Sequence, residues 1–194
     1  MATSNTEKRY TKTGLWQLFV ATATPIHLWA IILILMDISW VAERTNYWDA
    51  VGVAAYGLMF ALFESLLIWG MLVGIGFLLP KAWPESKRTT LLGVLVILTA
   101  LWAMMGQLYF IWDLSFPKAL AKFLATQSHP LWFLYGGLLI VVSLTIFLAA
   151  YFAIFSEKFQ RGFISLIERL STLMGLYIFL DVVGILIVLI RNLG

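Results

Sequence analysis

The chain has 194 residues, of which 62% are apolar and 12% charged, with a net charge of +3 and no cysteine. Soluble domains run at about 45–50% apolar and about 25% charged, and so short a chain cannot bury the surplus in a core of its own, so lipid must solvate the rest. The small net charge carries no signature of nucleic-acid binding, and the missing cysteines exclude disulfides, thiolate metal sites and cysteine nucleophiles.

The first dozen residues, MATSNTEKRYTK, are polar, and the apolar run behind them is too long for the core of a cleavable signal peptide. It is expected to stay as an anchor. Five apolar runs reach the length of about 20 residues that a bilayer requires: 15–40, 51–79, 89–112, 132–155 and 170–190. Continuous runs of this kind argue against a barrel, whose strands alternate over about ten residues. Helices also satisfy their own backbone hydrogen bonds where lipid offers none. VAERTNYWDA joins the first two spans and PKAWPESKR the second and third. In the longer linker DLSFPKALAKFLATQSHP, Phe116, Leu120, Phe123 and Leu124 fall on one helical face, opposite Lys118 and Lys122, which suits a short helix in the headgroup layer. SEKFQRGFISLIER, before the last span, reads as a similar elbow. The expected fold is an all-α polytopic membrane protein: residues 1–194 as one bundle of five transmembrane helices, with a short interfacial helix before the fourth.

Basic residues set the orientation. Lys8, Arg9, Lys12, Lys81, Lys87, Arg88, Lys158, Arg161 and Arg169 collect at one side, nine against four for Arg44, Lys118, Lys122 and Arg191. The N-terminus is therefore expected in the cytoplasm of a bacterial-type plasma membrane, with the C-terminus outside. Trp40, Tyr47, Trp48, Trp112 and Trp132 form one aromatic belt, Trp16 and Trp83 the other, and Asp37, Glu43, Asp49 and Asp113 give the outer side an acidic rim.

Depth then becomes readable. Glu64 and Ser65 lie at the middle of the second span, His27 near the middle of the first, Ser143 of the fourth and Asp181 of the fifth; Thr99 lies near the middle of the third, with Gln107 further out. Charges at that depth cost roughly 2.5–3.5 kcal/mol each on insertion scales, so they are expected to face the bundle interior, to pair, or to be neutral. Pro25, lacking an N–H, frees a carbonyl near His27, and Thr22 and Thr24 can help satisfy the backbone. The functional reading is an intramembrane polar site of His27, Glu64 and Asp181, with Ser65, Thr99, Gln107 and Ser143 as second members. The structural reading is that polar side chains hold helices together; it suits Ser143, Thr99 and Gln107 best, and leaves the carboxyls open. Gly70 and Gly74 form a GxxxG that permits close helix packing. Trp29, Trp69 and Trp102 lie deeper than the belts and are expected to pack or face lipid.

Several chemistries are absent. No span carries the lysine a retinal protein needs, and only His27 of the two histidines lies in a span, against the facing pair that haem b requires. There is no HExxH, no G-x-S-x-G and no P-loop. A Ser65–His27 nucleophile rests on depth alone. No cofactor and no metal are expected, and catalysis is not favoured. Three classes remain: a non-catalytic membrane subunit or assembly protein, a small oligomeric proton- or ion-coupled carrier or channel using Glu64, Asp181 and His27, and the membrane anchor of an envelope- or lipid-modifying system. For the third, five helices with an outward C-terminus resemble, in topology without a shared motif, the anchor preceding the extracytoplasmic domain of lipoteichoic-acid-synthase-type proteins. An odd number of helices does not divide into inverted repeats, so the subunit reading leads. Its partners are the lipid bilayer and either further copies or another membrane protein.

Overall fold

The computed structural model describes residues 9–115 and 117–193; Lys8 and Phe116, used above for orientation and for the interfacial face, lie outside the described residues. The described chain contains seven α-helices: α1 (Lys12–Arg44), α2 (Tyr47–Leu78), α3 (Glu85–Ile111), α4 (Lys118–Ala125), α5 (Pro130–Phe155), α6 (Glu157–Leu170) and α7 (Met174–Leu193). Five stretches are long and apolar enough to cross a membrane, the last of them α6 and α7 together. The fold is an all-α membrane bundle, as the runs of apolar residues predict.

Local chemistry sets the helix ends. The Thr11 side chain accepts from Gly14 N at 3.1 Å to start α1, and Asn46 accepts from Asp49 N at 2.9 Å to start α2, each supplying one of the acceptors a first turn lacks. Pro84 precedes α3 and Pro130 opens α5, where a missing N–H costs nothing. At the end of α3, Asp113 takes φ 47°. Leu114 N then reaches Tyr109 O at 3.1 Å and Asp113 N reaches Phe110 O at 3.2 Å, the paired closure that a left-handed residue allows.

α1 is the central helix. It packs on α2 along one flank and α3 along the other; α7 lies behind α2, and α5 lies behind α3, while α2 and α3 barely touch. The buried residues of α1 all fall between Gly14 and His27; towards the other end the buried packing is that of α2 on α7, with Ala50, Gly52, Ala55, Gly184 and Val188. At 33 residues, α1 is about 50 Å long, and in its last turns Ile38, Val41 and Ala42 are half-buried.

The short helix expected in the long linker is α4: of its apolar face Leu120 and Leu124 are half-buried and Phe123 is exposed, as are Lys118 and Lys122. The second elbow is also a helix of its own, α6. It seats Gln160, Phe163 and Ile167 against α1 and α3. Phe163 joins Val20, Ala21, Ala23, Val94, Ile167, Met174 and Tyr177 in the core. The physical reason is a missing side chain: a Cβ on Gly93 would come within 2.7 Å of the Phe163 ring, with Ala21 at 3.3 Å. Two small residues make the socket. Close approach also occurs at Gly184, where an added Cβ would lie 3.2 Å from Ala55 O. The expected packing at Gly70 and Gly74 is corrected within this chain, since both face open space.

Candidate functional site

The polar residues at mid-depth divide into two groups that face different ways. The first is closed. His27 is 1% exposed and Asp181 3%; Nε2 of His27 lies 3.2 and 3.1 Å from the two Asp181 carboxyl oxygens. Nδ1 lies 2.9 Å from Ala23 O, one turn back on α1. Ser65, fully buried on α2, gives its hydroxyl proton to Ala61 O at 2.6 Å and stands 3.5 Å from Nδ1. Tyr177 stacks on the imidazole, ring centroids 5.1 Å apart and planes 17° from parallel. Three helices, α1, α2 and α7, thus meet on one imidazole.

Hydrogen-bond polarity settles what this group holds. A backbone carbonyl accepts only, so Nδ1 carries hydrogen. Nε2 then either donates to an ionised Asp181 or accepts from a protonated one. In both cases one proton sits between the two side chains and the pair is neutral overall, which is what allows it to be buried in an apolar medium. The same polarity removes the Ser65–His27 nucleophile: Nδ1 has no lone pair for the serine proton, which already belongs to Ala61 O. The expectation about Pro25 is also corrected. The carbonyl it frees is that of Ala21, four residues back, whereas His27 uses Ala23 O; Thr22 and Thr24 donate to Leu18 O at 2.9 Å and Val20 O at 2.8 Å.

The second group is open. A cleft of about 810 Å³ runs between α2 and α3, with α1 as its floor. Glu64, Thr99 and Gln107 line it, and Asp37 lies towards its C-terminal end. All four are exposed, and none of them has a hydrogen-bond or ion-pair partner within the described chain. The apolar lining includes Trp29, Phe60 and Met104. None of His27, Ser65, Asp181 and Tyr177 lines the cleft. The single site of His27, Glu64 and Asp181 is therefore corrected. Glu64 faces the cleft rather than the interior, because consecutive helical residues point about 100° apart and Ser65 takes the direction of His27.

The remaining expected members separate. Ser143 is half-buried on α5, and the polar link from α5 to α3 runs through Thr145, whose Oγ1 accepts from Trp102 Nε1 at 3.0 Å. Trp69 Nε1 donates to Leu15 O at 3.1 Å. Both of these deep tryptophans are packed. Tyr177 and Thr145 were not singled out in the sequence; Tyr177 lies four residues before Asp181, on the same helical face, and that spacing is the signal that points to it. Among the described residues no three His, Asp or Glu side chains converge as a metal site. At the C-terminal end, Arg191 joins Asp49 at 2.9 Å and donates to Trp48 O, tying α7 to the start of α2. No protein-family model, curated protein or solved structure matches the chain.

Proposed function

We propose that this chain is a non-catalytic subunit or assembly protein of a bacterial-type plasma membrane, with its N-terminus in the cytoplasm and its C-terminus outside. The observation that carries this reading is the cleft: it leaves Glu64, at mid-depth, in a space open to the side, without a partner among the described residues. A carboxyl in that position is expensive unless something covers it. The closed group supports the same reading, because a neutral pair that joins three helices, with no serine base and no place on the cleft wall, reads as a latch.

The test is native mass spectrometry of the protein extracted from its own membrane in mild detergent. A stoichiometric second protein is the expected result; a homogeneous monomer or a homo-oligomer alone would overturn the reading. A proton-coupled carrier is the second reading, favoured by the one proton that His27 and Asp181 hold between them. It requires flux in liposomes that Asp181→Asn abolishes, and unchanged flux in that variant would remove it.

A further inference from the structure

The cleft is bounded in a way that selects among occupants. Its α3 wall runs from Leu92 to Gln107, about 22 Å at about 1.5 Å per residue, or most of the hydrocarbon thickness. Each wall is held from behind. α7 packs behind α2 at Gly184, and the Trp102–Thr145 hydrogen bond ties α3 to α5. The opening is therefore part of the fold and is not closed by a simple tilt of α2. Ala30 on α1, and Ala100 and Ala103 on α3, place small side chains along its surface, and small residues are what let helix backbones approach closely in lipid.

Glu64 decides between a helix and a lipid chain. An acyl chain fills volume but offers the carboxyl nothing. A second copy of this protein offers little more: none of its 13 lysines and arginines lies at mid-span, and its one intramembrane histidine is buried on Asp181. We propose that the α2–α3 cleft seats one transmembrane helix of a different protein, and that this helix carries a lysine, arginine or histidine near mid-membrane that meets the Glu64 carboxylate. Thr99 stands across the cleft on α3 to share the donor. The assignment rests on the reading of the chain as a subunit, and adds where the partner docks and by what chemistry.

The test places the photoreactive residue benzoylphenylalanine at Phe60 on the α2 wall and, separately, at Met104 on the α3 wall of the full chain in its own membrane. Leu139, which is 67% exposed on α5, serves as the lipid-facing control. After irradiation, the adducts are identified by peptide mass spectrometry. The expected product is one protein adduct from positions 60 and 104, absent from 139, mapping to a transmembrane segment that contains Lys, Arg or His. Glu64→Leu should lower its yield about tenfold. Adducts of lipid mass only, adducts to a second copy of this chain, a segment without a basic residue, or a yield unchanged by Glu64→Leu would each overturn the assignment. The Phe60 and Met104 experiments stand on the otherwise unaltered chain, so they do not depend on how the Glu64 variant folds. If a stoichiometric partner still co-purifies while the cleft gives only lipid adducts, docking at the cleft fails and the subunit reading survives. If no partner co-purifies, both fail.

Discussion

His27 and Asp181 are costly individually and cheap together, and that difference can be measured. Asp181→Leu leaves Nε2 of His27 facing a hydrocarbon wall, and His27→Leu leaves a carboxyl without its proton-sharing partner. Each should cost about 1–3 kcal/mol, the usual penalty for a stranded buried polar group. The double leucine variant removes both obligations, and should fall short of the sum of the single effects by about 1 kcal/mol or more. Steric-trapping unfolding in bilayers reads these values. Additive effects would mean that the 3.1 Å contact contributes no coupling. Ser65→Ala is expected to be milder, because its hydroxyl bonds a carbonyl of its own helix and only approaches the imidazole. Glu64→Gln should leave stability nearly unchanged, since the carboxyl has no partner among the described residues to lose.

Among the elements, the helices were readable and their rotations were not. The spans stand out because lipid demands continuous apolar runs, and the observed helices begin and end within a few residues of them; α1, expected over 15–40, covers Lys12–Arg44. Depth was readable for the same reason, since counting residues along a span measures rise. Azimuth is set by packing against other helices, and nothing local announces it. That is why Glu64 and Ser65, neighbours at one depth, were assigned to one site and point to two. α6 shows the same limit. An elbow was readable there, but its seat depends on Gly93 and Ala21 lying side by side from different helices. A prediction follows from that socket. Gly93→Val puts a branched side chain where the Phe163 ring lies and should destabilise the protein by about 1–3 kcal/mol. Gly70→Ala and Gly74→Ala, in open space, should stay within about 0.5 kcal/mol. If the variants at 70 and 74 were the damaging ones, the α6 socket would not be a main support of the bundle.

For the molecule as a whole, orientation determines which side of the membrane the cleft's polar end faces. Asp37 and Gln107 lie towards the end that carries the C-terminus, so the proposed topology turns them outward, together with α4. Nine basic residues against four favour keeping the N-terminal end inside. Arg88 is buried against Tyr10, and without it the basic residues still favour the same side. The chain lacks cysteine, so single cysteines report without background. Ala82, exposed in the turn between α2 and α3, and Ser128, exposed between α4 and α5, lie at opposite ends of the bundle. On intact cells a membrane-impermeant maleimide should label Ser128→Cys, and should label Ala82→Cys only after permeabilisation. The reverse pattern would invert the topology and turn the polar end of the cleft to the cytoplasm. A partner helix approaching the cleft would then have to carry its flanking charges the other way up, although the depth at which it must meet Glu64 would not change.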